Sequence, residues 1–90
     1  MNALPDDLRA LLAAVVEALA LPLADTAADH EARAMLLNRR ASDAQIIIEA
    51  VLRGDRITDC TEQLRRWTAE RPATYQVWAP EQTEDEEAQR

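Results

Sequence analysis

Phenylalanine and lysine are absent from this chain, and glycine and cysteine occur once each. A single glycine, Gly54, leaves no glycine-rich loop to cradle a phosphate. A single cysteine, Cys60, leaves no internal disulfide. Aromatic residues number three: Trp67, Tyr75 and Trp78. Apolar residues make up 48% of the 90, but alanine supplies much of that share and buries little area, so the core of one copy is thin. Small chains in this position rely on disulfides, a metal or a second subunit. Without cysteine pairs, the expectation turns to a homo-oligomer.

All ten basic residues are arginine, and 17 acids bring the net charge to −7. Alanine and arginine in abundance, with no lysine, point to a GC-rich genome, bacterial or phage. The acidic balance argues against nucleic acid or an anionic membrane as a general partner, since both require a positive surface. The apolar stretch from Met1 to Leu23 is interrupted by Asp6, Asp7 and Glu17. It has no basic leader and no run long enough to span a bilayer, which reads as a cytoplasmic protein.

What the chain does hold is helical periodicity. From Thr26 to Arg53, Ala34, Leu37, Ala41, Ala44, Ile48 and Val51 recur in alternating steps of three and four, a heptad stripe with alanine at half its positions. Thr26 as cap with Asp29 three residues on approximates a capping box. Gly54 suits the left-handed residue after a helix end. Ser42 with Gln45 offers a competing start after a break at Asn38–Arg40, but the heptad register runs through Ala41 without a skip. One long helix is therefore predicted.

A first helix is predicted to begin at Pro5, with Asp6 and Asp7 against its dipole and Leu8, Leu12, Val15 and Leu19 as its buried stripe, widened by Leu11 and Val16. Pro22 stops it near Ala20, and a short connection makes an antiparallel hairpin with the long helix. A third helix is predicted from a Thr58 cap to Glu70, where Pro72 pushes Arg71 out of helical geometry. Ile57, Cys60, Leu64 and Trp67 mark its apolar face. Thr74–Trp78 alternates like a strand with no partner strand in sight. Residues 81–90 are too acidic to fold and read as a disordered tail, leaving residues 1–80 as a single helical domain with a C-terminal arm.

The fold class is thus all-α, a long central helix flanked by two shorter ones. At ~1.5 Å per residue the long helix spans roughly 40 Å and each short one about 20–25 Å. Met35-Leu36-Leu37 and Ile46-Ile47-Ile48 each fan over about 200°, more than one neighbour covers. A second copy would supply the other side, with Leu37, Ala41, Ala44, Ile47, Ile48 and Val51 at the interface.

Candidate chemistry is sparse. Asp25, Asp29, His30 and Glu31 are the one acid–histidine cluster, but on a helix they diverge, and a zinc site needs three or more converging ligands. A dipole-favoured acidic first turn accounts for them, with Asp29 pairing to Arg33. Cys60 lies in a helix first turn, where thiolates are favoured, yet it also sits on the apolar stripe and has no histidine nearby. The long helix, Arg53-Gly54-Asp55-Arg56 and the third helix imitate a helix-turn-helix, but Arg53, Asp55 and Gln63 occupy places that motif keeps apolar. Glu49 and Glu62 stand at helical spacing from Arg53 and Arg66, leaving Arg40, Arg56, Arg65 and Arg71 without a local acidic partner. No catalytic, metal or cofactor site is expected. The reading is an acidic, non-catalytic protein-interaction module, an adaptor, inhibitor or mobile-element accessory factor, with an unidentified protein partner anchored by Tyr75, Val77 and Trp78. The alternative is a dimeric DNA-binding protein using the helix-turn-helix-like unit.

Overall fold

The computed structural model describes residues 3–78 and holds three helices: α1 Asp6–Leu19, α2 Ala27–Leu52 and α3 Ile57–Glu70. The architecture is the all-α arrangement expected, a long central helix with two shorter ones against it. The expected acidic tail, residues 81–90, lies outside the described residues. No described helix is long and apolar enough to cross a membrane.

Local signals set the helix ends. Pro5 flanks α1, whose first turn carries Asp6 and Asp7, and the helix closes at Ala20, two residues before Pro22. At the start of α2 the Thr26 side chain accepts from the Asp29 amide at 3.1 Å, and its hydroxyl donates to the Asp29 carboxylate at 2.6 Å. The helix then runs unbroken through Asn38–Ser42, so the continuous heptad register outweighs the internal Ser42 cap. Gly54 ends it at φ +101°, with Gly54 N–H donating to Val51 and Asp55 N–H to Ala50, both at 3.0 Å. That pair of bonds is a Schellman closure, and it requires the left-handed residue that glycine supplies without a Cβ penalty.

Two sequence expectations shift. α3 begins at Ile57, one residue before the expected Thr58 cap, and has no side-chain cap at all. Ile57 packs against the core, and burying it outweighs a hydrogen bond from an exposed threonine. On α1, the buried stripe is Leu11, Ala14 and Ala18, with Leu8 and Val15 beside it, whereas Leu12, Val16 and Leu19 are exposed. Apolar residues surround so much of this helix that periodicity alone left its orientation open.

The core joins Leu11, Ala14 and Ala18 of α1 to Ile47 and Ala50 of α2 and to Cys60 and Leu64 of α3. The most extensive helix pairing is α1 with α3, not α1 with its sequence neighbour α2. α1 and α2 are nonetheless antiparallel: Arg40 reaches the Ala18 carbonyl, and one helical pair of turns earlier Arg33 reaches the carbonyls of Leu21 and Pro22.

The N-terminal half of α2 is thinly covered: none of residues 27–39 is buried, and Asp29, Arg33, Leu36 and Leu37 are half-buried. The segment after α1 runs along it, held by Arg33. The arm after Pro72 lies against that segment: Ala24 and Val77 form an antiparallel bridge, with Asp25 N–H donating to Gln76 at 3.0 Å and Trp78 N–H to Leu23 at 2.9 Å. The strand-like Thr74–Trp78 therefore has a partner, supplied by residues that read in sequence as a plain connection.

Candidate functional site

Three of the four arginines read as lacking local acidic partners bond at a distance, Arg65 and Arg71 to acids and Arg40 to backbone carbonyls. Arg40, 7% exposed, donates to the carbonyls of Ala18 at 3.2 Å, Thr68 at 3.5 Å and Arg71 at 2.8 Å. These acceptors sit at the C-terminal ends of α1 and α3, where helix dipoles favour a cation. Asp43, equally buried, faces the Arg71 guanidinium at 3.6 Å and that of Arg39 at 3.9 Å. Arg65 meets Glu17 of α1 at 3.6 Å. Among the described residues, the ion pairs expected at helical spacing, Asp29–Arg33, Glu49–Arg53 and Glu62–Arg66, do not form. Arg33 instead caps loop carbonyls and Arg53 reaches Asp55 at 3.9 Å.

The acid–histidine cluster is dispersed. Asp29 is engaged with Thr26, the Asp25 backbone joins the bridge, and His30 and Glu31 are exposed. Among the described residues, no three His, Cys, Asp or Glu side chains converge as metal ligands would. Cys60 is buried in the core cluster, at the base of an open groove of about 470 Å³ between α2 and α3 that Ile46, Ala50 and Trp67 also line.

Apolar surface left uncovered is the more prominent feature. A second groove, about 310 Å³, runs between α1 and α2, lined by Val15, Leu19, Ala41, Ala44 and Ile48 with Gln45 and Glu49 at its border. Of the residues expected at an interface, Ala44 and Ile47 are buried within the single chain, Leu37 and Val51 are half-buried, and Ala41 and Ile48 are open to solvent. Leu12, Val16 and Leu52, which sequence reasoning did not assign to an interface, are exposed close by in helical phase. The signal for them was present: Leu12 and Val16 are consecutive members of an i, i+4 row on a helix whose opposite face is already apolar.

The arm divides by alternation. Tyr75 points inward, 8% exposed, and its hydroxyl donates to the Pro22 carbonyl at 2.5 Å. Across the bridge, Leu23 and Trp78 lie opposite each other and share the face away from Ala24 and Val77. Both are about half exposed, at 54% and 49%, and Val77 is 41% exposed. Of the three arm residues expected to anchor a partner, Tyr75 is thus committed to the body, while Val77 and Trp78 remain accessible. Leu23 joins them, a residue that an apolar side chain in a loop beside Pro22 could have signalled.

No family model matches this chain, and neither a curated protein nor a solved structure shows significant similarity to it.

Proposed function

We propose that this chain is a non-catalytic protein-interaction module, and that it anchors its partner on the clasp formed by Leu23 and Trp78. The observation carrying this is a half-exposed tryptophan held by backbone hydrogen bonds on an extended segment. Tryptophan is the side chain most enriched among interface anchors. Pinning its backbone in advance lowers the ordering cost of association. A net charge of −7 steers such a module toward a basic partner. An adaptor, an inhibitor or an accessory factor all fit this description.

The DNA-binding reading has less support. Arg40, Arg65 and Arg71 are three of the four arginines read in sequence as lacking a local acidic partner, and all three are bonded within the chain. That removes most of the basic face a duplex would need.

The test compares wild type with Trp78→Ala by affinity capture from the native host, with quantitative mass spectrometry and thermal melting in parallel. A partner retained by wild type and reduced at least tenfold by the variant, at an unchanged melting temperature, supports the anchor. Equal capture by both proteins removes it. A salt-dependent shift of duplex DNA, lost in the Arg65→Ala, Arg66→Ala double variant, would instead favour the DNA-binding alternative.

A further inference from the structure

We infer that the outer face of the α1–α2 pair is completed by a second copy of this chain, producing an antiparallel four-helix core. The surface shares no residue with the Leu23–Trp78 clasp.

The face is too apolar to stand alone. Leu12 is 45% exposed, Val16 64% and Leu52 80%, and Ile48 and Leu19 border them at 40% and 38%. Large apolar side chains left exposed together on one helix pair mark an interaction site. Its pattern specifies what fits. On α1, Leu8, Leu12, Val15 and Leu19 keep steps of four, three and four. On α2, Ala41, Ala44 and Ile48 keep steps of three and four, and they line the groove between the helices together with Val15 and Leu19 of α1. Two antiparallel helices with adjoining heptad stripes are half of a four-helix bundle, in which a matching pair packs knobs into holes.

The occupant is a copy of the same chain because the face complements itself. Its α1 edge is a ridge of large side chains, Leu12, Val16 and Leu19, and its α2 edge is low at Ala41 and Ala44 before it rises to Ile48 and Leu52. A twofold axis along the bundle sets α1 of one copy on α2 of the other, so each ridge enters the partner's alanine-lined groove. The same operation keeps facing helices antiparallel. Charge follows the same rule. Arg9, one helical step from Leu12 on the exposed side of α1, and Glu49, at the groove border on α2, carry opposite signs, and both are exposed. The twofold brings Arg9 of one copy toward Glu49 of the other, twice per dimer. A foreign helix pair would have to reproduce both the steric and the charge pattern that this chain already carries.

Sedimentation of the full chain at micromolar concentration tests the assignment, with far-ultraviolet circular dichroism as the check on folding. Wild type is expected at twice the 10.1 kDa chain mass. Val16→Glu and Leu52→Glu each place a carboxylate on the face at a side chain that is exposed in the single chain. Each is expected to weaken the dimer at least roughly a hundredfold and return the single-chain mass with helicity retained. Ile46→Glu, at an exposed position on the α2–α3 side, is expected to leave the dimer intact. A wild-type monomer throughout the micromolar range overturns the proposal. So does a dimer that survives both Val16→Glu and Leu52→Glu, or one that dissociates with Ile46→Glu alone.

Discussion

The Arg40 guanidinium donates to the backbone carbonyl of Arg71 at 2.8 Å, bringing two arginines together at the point where α3 ends on the middle of α2. Like charges meet there because the contact is to the carbonyl of Arg71, while its own guanidinium turns to Asp43. Arg40 also holds the last turns of α1, so a single buried side chain ties all three helices at one level. Its Nε is buried with no hydrogen-bond partner, a cost set against the three bonds made by the terminal nitrogens.

Arg40→Met keeps much of the side-chain length but deprives the carbonyls of Ala18, Thr68 and Arg71 of a donor. The expected loss is about 2–4 kcal/mol in urea unfolding, the range for truncating one member of a buried charged network. Arg40→Lys should recover only part of it, because one ammonium cannot span acceptors arranged for a planar fork. A loss under about 0.5 kcal/mol for the methionine variant would mean the three bonds are energetically idle.

Asp43 and Arg71 form a partly buried pair, with side chains 10% and 38% exposed. A double-mutant cycle built from Asp43→Asn and Arg71→Met is expected to show a coupling of about 1 kcal/mol, between exposed and fully buried pairs. A coupling indistinguishable from zero would assign Asp43 to some role other than anchoring the end of α3.

Within the isoleucine triplet, neighbours should behave very differently. Ile47 is 3% exposed and Ile46 is 52% exposed. Ile47→Ala is expected to cost about 2–4 kcal/mol through lost burial and a residual cavity, and Ile46→Ala less than about 1. Similar losses at both positions would contradict a rotation of α2 that buries Ile47 and exposes Ile46.

Gly54→Ala isolates a backbone effect, since a Cβ added at Gly54 would meet nothing within 4 Å. The left-handed conformation alone should cost about 1–2 kcal/mol. Asparagine, which tolerates that region better, should fall between glycine and alanine. An alanine variant as stable as wild type would show that the turn can relax to another closure.

Tyr75→Phe removes the hydroxyl that bonds to Pro22 while keeping the ring. A loss of about 1 kcal/mol is expected. Amide hydrogen exchange offers the sharper readout: the N–H groups of Asp25 and Trp78 should lose protection in the variant, because they hold the bridge that Tyr75 stabilises. Unchanged protection at both amides would show that the clasp holds without the hydroxyl.

Sequence by itself determined the number, order and approximate limits of the helices. The signals involved act within three or four residues: Thr26 with Asp29, Gly54 after Arg53, Pro22 and Pro72 beyond their helices, and the heptad step that carries α2 through Asn38–Ser42. Tertiary structure decided which side of each helix is buried and where the polar groups go. On α1, Leu11 and Leu12 are equally apolar, and only the fit against α3 buries one at 3% and leaves the other 45% exposed. Arg40 found acceptors 22 to 31 residues away, and Tyr75 one 53 residues away. Such pairings have no local signature, because a carbonyl freed at a helix end carries no residue type of its own. The Leu23–Trp78 clasp depends on the same circumstance. Two short extended segments are neighbours there because the packed helices bring the chain that follows α1 beside the chain that follows α3.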